Sequence, residues 1–255
     1  MTSARVFFIG GLTSYRALFG WLSPWVFIPS LLVAPIFQIL LFVYIGRSAQ
    51  LESDEFYVIG NAIQYAAIPC LFAMTQIVAG ERFQQTLGYI LLTPAKRLPL
   101  FVGRALPVVT NGFFVAAFAL AVGGWVVGIE VPASSYAPIA LVTAVSAFSC
   151  TGLGLVNAGL GFVVRETAVL SNIIFGVLLV FTGANVPVDQ LPRWMQVLSE
   201  GMPFTHGIEA VRRLADVWGL VAAEALIGVV YGALGYALIR AMEVVGRRHA
   251  TLDRS

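Results

Sequence analysis

"ERFQQTLGYILLTPAKRLPLF", residues Glu81 to Phe101, holds four charged side chains and three prolines or glycines. It nevertheless lies between two runs apolar enough for the interior of a bilayer. What this polar, half-helical stretch does between two such runs decides how the fold is read. The surrounding chain answers: its 255 residues are 59% hydrophobic and 11% charged, with a mean hydropathy of +0.88. The charges gather in short islands between apolar runs, whereas a barrel would alternate polar and apolar residues along each strand. The expected fold is an all-α integral membrane protein, a single transmembrane domain over residues 1–255.

Apolar runs of the length needed to cross a bilayer fall at 25–46, 56–79, 105–128, 136–164, 168–186 and 219–242, so roughly six spans are expected. The first five carry no formal charge. The first run starts too late and runs too long for the h-region of a cleaved signal peptide, so the N-terminus is expected to be retained. An even number of spans places both termini on one side. Arg5, Arg16, Arg82, Lys96, Arg97, Arg104, Arg165, Arg240, Arg247, Arg248 and Arg254 fall on one face, against Arg47, Arg193, Arg212 and Arg213 on the other. The richer face is read as cytoplasmic, which puts both termini and the loop 80–98 there.

Before the first span, Phe7, Phe8, Leu12, Tyr15, Leu18, Phe19 and Leu22 recur at near-helical spacing, with Pro24 as a stop. Residues 1–24 read as an interfacial helix, or equally as an amphipathic lead-in with no mechanical role. Within the loop, Phe83, Leu87, Ile90 and Leu91 stand at i, i+4, i+7 and i+8, the spacing of one short amphipathic helix ended by Pro94.

These residues resemble a family. Glu81-Arg82, Thr86-Leu87 and Leu91-Leu92-Thr93-Pro94 are similar to the "ER…GTLE.LL.TP" segment of ABC type-2 export permeases, with Gln85 where that family has glycine. A second similar region is Asn185, Pro187, Leu191-Pro192, Trp194, Pro203, Thr205 and His206, before the last span. The resemblance implies the membrane half of an ATP-driven exporter in the cytoplasmic (inner) membrane. Glu81, Arg82, Thr86, Leu87, Leu91, Leu92 and Pro94 would then form a coupling helix docked on a separate ABC ATPase, with Leu87 and Leu91 as anchors. A rigid helix there would transmit closure of the ATPase as a rigid-body movement. The other reading is an amphipathic helix lying on lipid. Arg165 and Glu166 resemble the smaller coupling contact, although any tight cytoplasmic turn tends to carry an arginine.

No G-x-x-x-x-G-K-[ST] phosphate loop occurs, and Lys96, the single lysine, follows alanine. This chain cannot power itself by that route, and the resemblance implies ATP and Mg on the partner ATPase, with no cofactor bound by this chain. Cys70 and Cys150 lie in apolar spans, and His206 and His249 are too few and too far apart for a metal site. The glycine-rich run Gly152–Gly161 lacks a preceding strand and reads as close helix packing; Gly228 and Gly232 form a G-x-x-x-G pair whose partner helix is left open.

Gln38, Asn61, Gln64, Asn111, Asn157 and Asn172 would be costly against lipid, so they should face protein or water, as interhelical glue or as a translocation path. Glu224, about one turn into the last span, is expected to snorkel to the outer interface. The segment 187–216 is too polar to cross and too apolar to be a solvated loop. Leu191, Trp194, Met195 and Leu198 make one apolar stripe, Gly201 and Pro203 end that helix, and Ile208, Val211 and Leu214 begin another. We expect a re-entrant helical hairpin forming an outer gate of Pro187, Leu191, Trp194, Met195, Pro203 and His206; two floating interfacial helices are the alternative.

Three function classes stay in view. An exporter subunit accounts for the loop helix, the outer segment and the missing phosphate loop together. A secondary transporter would want an ionisable residue at mid-depth, and a membrane enzyme a cluster such as Asp189, His206 and Glu209. The exporter reading implies a second permease subunit, identical or a sister, and contacts with membrane lipid. It also implies an exported amphipathic small molecule, antibiotic or peptide, and no nucleic acid.

Overall fold

The computed structural model describes residues 24–76, 97–129, 132–161, 164, 166–213 and 217–249. The expected interfacial helix before Pro24, the segment Glu81–Pro94, Arg165 and Leu214 lie outside the described residues. After a single turn at Pro24–Phe27, the helices in chain order are α1 (Ile28–Ala49), α2 (Asp54–Gln76), α3 (Arg97–Val127), α4 (Tyr136–Leu160), α5 (Thr167–Phe181), α6 (Arg193–Glu200), α7 (Thr205–Arg213) and α8 (Val217–His249). Among the described residues there is no strand.

Among the described residues, five helices, α1, α2, α3, α4 and α8, are long and apolar enough to cross a membrane. The run expected to span over 168–186 forms a helix shorter than those five. Its helix α5 has 15 residues, roughly 22 Å at the α-helical rise, against a hydrocarbon core of about 30 Å. The physical reason lies at its end: Gly183 has φ +77°, a left-handed conformation that stops the helix, and residues 182–186 turn instead of continuing.

Local chemistry explains the other boundaries. Gln50, at φ 53°, ends α1 and returns its N–H to the carbonyls of Gly46 and Arg47. Ser53 then caps α2, its Oγ accepting from the Phe56 N–H at 3.3 Å, with Asp54 and Glu55 in the first turn, where helix-terminal N–H groups favour anions. Arg47 clasps Asp54 with a closest N–O distance of 2.6 Å, closing the α1–α2 turn. Both helices contain a wide π-type segment beginning at an Ile-Pro pair, Ile28–Val33 and Ile68–Ala73. Proline offers no N–H to the ladder, and a widened turn accommodates its ring.

The bundle is arranged around α2, 78% of whose apolar window is buried, against 22% for α1 and 11% for α8. Cys70, Leu71 and Met74 of α2 lie in one core with Val108 and Ala116 of α3 and Ala147, Cys150 and Leu153 of α4. The most extensive interhelical contact joins α4 to α8. A β-carbon on Gly152 would lie 2.7 Å from the Gly228 carbonyl oxygen, one on Gly235 2.7 Å from the backbone at Leu155–Val156, and one on Gly159 2.9 Å from Leu238. Contacts that advance together along both helices make α4 and α8 parallel. Gly228 therefore meets a helix of its own chain, and the Gly152–Gly161 run is a packing seam.

Candidate functional site

The end of the bundle carrying the α1–α2 turn is covered by the α6–α7 hairpin. Pro187 leads into a 3-10 turn at Val188–Gln190, and Pro192 precedes the first residue of α6. The Gln196 amide donates to the carbonyls of Asp189 and Leu191, folding that approach onto the helix. Of the expected stripe, Leu191 and Met195 are half-buried, whereas Trp194 and Leu198, with neighbouring Val197, are exposed. The Trp194 ring meets Phe181 edge-on, with 6.1 Å between centroids. In α7 the balance reverses: Thr205, Gly207, Ile208, Ala210 and Val211 are all buried. Pro203 is buried in the intervening turn, and His206 Nε2 lies 3.0 Å from the Glu200 carbonyl oxygen.

That turn penetrates the bundle. Glu224 of α8 accepts the Phe204 N–H at 2.8 Å and the Gly207 N–H at 3.2 Å, and the Tyr231 hydroxyl donates to the Gly201 carbonyl at 3.1 Å. Glu224 stands seven residues beyond Val217, so the turn sits about 10 Å along α8 from its first residue. The expectation that Glu224 snorkels is corrected: it is fully buried. Snorkelling is the default only where no donor comes within reach, and here the N-terminus of α7 supplies two N–H groups to the carboxylate. Phe204, at φ 74°, is the strained residue that turns the chain into α7.

The other end of α7 is held by Arg212, which the sequence showed only as one of the sparse outer charges. Its Nη1 donates to the Gly183 carbonyl at 2.7 Å, and its Nη2 to the carbonyls of Phe56 at 2.8 Å and Ala184 at 3.2 Å. The guanidinium lies 3.5 Å from the Phe56 ring centroid. Burial pushes its pKa down to about 10, against the upward pull of Glu52 and Glu209. Gly60 makes the room: a β-carbon there would run into the Ala184 carbonyl and lie 2.6 Å from Arg212 Nη2. Beside it, Phe56, Asp189, Gln196, Glu200, Glu209 and Arg213 help to line a cavity of about 350 Å³.

The six polar residues read as a path separate into groups. Gln38 donates to Asn61 Oδ1 at 3.0 Å, and Asn61 donates to Asn185 Oδ1 at 2.8 Å and to the Tyr57 carbonyl at 2.9 Å. This string joins α1, α2 and the chain after α5. Toward the opposite end, Asn157 donates to Thr75 at 2.9 Å and to Ser171 at 2.7 Å, joining α4, α2 and α5. Gln64 is fully buried, and neither amide atom has a protein partner among the described residues. Asn111 is buried in α3, whereas Asn172 is exposed and bonded to its own helix through the Ala168 carbonyl. Glu166 is exposed and immediately precedes α5.

A helical bundle with several membrane-length spans, a polar string at one end and a penetrating hairpin before the last helix has the build of a multi-pass membrane protein. The profile of the ABC-2 type transporter family matches residues 8–215, and the chain belongs to that family. It is similar to the probable multidrug ABC transporter permease YbhR of Escherichia coli K12, 26% identical over 171 residues, which cover 64% of this chain and 46% of the relative. The protein of the same name from Escherichia coli O157:H7 gives the same figures. The chain thus matches about half the length of these curated relatives.

Proposed function

We propose that this chain is the membrane-spanning subunit of an ATP-driven exporter, paired with a second permease and moved by a separate ATPase that carries ATP and Mg. The observation that carries the reading is the family match, which spans both the Glu81–Pro94 segment and the Asn185–His206 segment. In this reading α2, the most buried span, hands movement from Glu81, Arg82, Thr86, Leu87, Leu91, Leu92 and Pro94 into the core, with Arg165 and Glu166 as a second contact. Both termini lie in the cytoplasm of a cell whose inner membrane holds the protein. The parallel register of α4 and α8 supports termini on one common side, because the chain must return across the bundle between them and α5 is the helix available to do so.

The α6–α7 hairpin then forms an outer gate. Its turn, level with Glu224 in α8, supports a re-entrant hairpin over two floating helices, since backbone at such depth is tolerated only where it is buried or lines a cavity. Pro187, Leu191, Trp194, Met195, Pro203 and His206 border it. Gln38 and Asn61 lie beneath it, and Gln64 lies further along α2 beside the π segment; these three are the path residues favoured by position. The name of the E. coli relative supports an amphipathic small molecule, such as a drug or antibiotic, as the cargo.

The test is Leu91→Asp. A carboxylate on a docked anchor would be buried without a partner, so the expected result is loss of ATPase on co-purification with the permease. Recovery of the complex at the parent level, with unchanged transport, would falsify the coupling assignment.

A further inference from the structure

We infer that Glu224 and Arg212 are positioning residues that hold α7 as a rigid strut between α8 and α2, so that a displacement of α2 reaches the hairpin tip and the exposed face of α6. The inference rests on the proposed exporter function, because α2 must be driven from its far end.

Both ends of α7 are fixed, by different chemistry. At its start the Glu224 carboxylate takes the N–H groups of Phe204 and Gly207. Near its end Arg212 grips three carbonyls, two in the turn after α5 and one in the first turn of α2. In each case the group gripped is backbone, which cannot rotate away as a side chain can. Packing closes the remaining space: a β-carbon on Gly207 would run into the Ser146 hydroxyl of α4, and Ile208, Ala210 and Val211 are buried.

Each grip costs desolvation of an ionisable group, complete for Glu224 and partial for Arg212, which is half-buried. Taken together, two such grips at opposite ends of one nine-residue helix define its position. They set where α7 lies relative to two different spans. The Tyr231 hydroxyl on the Gly201 carbonyl extends the same hold to the end of α6, which carries Trp194, Val197 and Leu198 on its open face.

The experiment uses the permease co-expressed with its ATPase in membrane vesicles, with Cys70 and Cys150 replaced by alanine and Trp194→Cys as the reporter. Labelling by an impermeant maleimide is compared without nucleotide and with the ATPase trapped by vanadate. The parent ratio should differ from unity by about tenfold, the usual scale of coupling between linked sites. With Arg212→Lys, which cannot span three carbonyls, or Glu224→Gln, which keeps the shape but puts an NH2 group where one oxygen accepts an N–H, the ratio should collapse toward unity. The nucleotide-free labelling rate and the amount of co-purified ATPase should stay at the parent level. A merely structural role would lower yield or shift both labelling rates together and leave the ratio intact; that result in both variants overturns the strut. A parent that labels equally in both states removes the gate reading itself, and the strut with it. Should Arg212→Lys not reach the membrane, Glu224→Gln at the opposite end carries the same comparison.

Discussion

Two junctions in this molecule hold helices together by opposite means. Along the α4–α8 seam the contacts are made by what is missing: Gly152, Gly228 and Gly235 bring backbones so close that a β-carbon would sit 2.7 Å from a neighbouring atom. At the α2–α5–α7 junction the contacts are made by what is present, three carbonyls on the Arg212 guanidinium and the Gln38–Asn61–Asn185 string. In lipid no hydrophobic force draws one apolar helix to another, so close packing and satisfied polar groups are the two means available. A glycine seam holds two backbones in register along its whole length, whereas a charged grip on backbone fixes one position. The first suits two helices that move together, and the second suits a joint that must keep its place.

The largest expected effect tests the gripped joint. Arg212→Ala leaves the carbonyls of Gly183, Ala184 and Phe56 without their donor, and we expect a loss of about 3 kcal/mol, read as a lowered melting temperature of detergent-purified protein. The seam comes next. Gly228→Ala drives a methyl into the Phe148 ring and the Ser149 backbone, 2.7 and 2.8 Å from the added atom, for a loss of about 2 kcal/mol. Its partner in the same G-x-x-x-G pair is the control: nothing lies within 4 Å of a β-carbon on Gly232, so Gly232→Ala should change stability by less than about 0.5 kcal/mol. Equal losses at the two glycines would mean that the seam is not where the register places it.

Between these sizes falls a change of opposite sign. Gln64 is fully buried with no protein partner for its amide among the described residues, so Gln64→Leu should stabilise the isolated protein by about 1 kcal/mol. If the residue lines the path, transport should fall even as the melting temperature rises. A rise in both would leave Gln64 as a packing fault and strengthen the contrast between the two junctions.

Much of this was readable before any coordinates. Hydropathy located five long helices because each needs a near-continuous apolar run, and the Gly152–Gly161 run announced close packing because a nucleotide-binding strand was missing ahead of it. What hydropathy does not show shares one cause. Residues 182–186 are apolar enough to continue a span, and only Gly183 in its left-handed conformation, with Arg212 gripping from 29 residues away, ends α5. Glu224 reads as a snorkelling residue unless a helix N-terminus is known to arrive beside it. Asn157 and Asn172 look alike in a hydropathy profile, yet one is buried in a three-helix knot and the other is exposed. Hydropathy reports depth along a helix; it carries no record of which way each side faces or of what a distant segment brings.

The polar string at Asn61 also bears on how the protein is made. Gln38 is already synthesised when Asn61 emerges, but Asn185 follows 124 residues later and Arg212 follows Phe56 by 156. At ribosomal speeds of about 5–20 residues per second, that second gap is roughly 8–30 s. During that interval α2, the least hydrophobic of the five long helices, enters the bilayer with α1 as the neighbour already in place. The Arg47–Asp54 clasp and the Gln38–Asn61 amide bond thus equip the first two helices to insert as a pair. The central helix of the finished transporter is in this sense a nascent chain's early guest, sheltered by α1 until the residues that will enclose it have been translated.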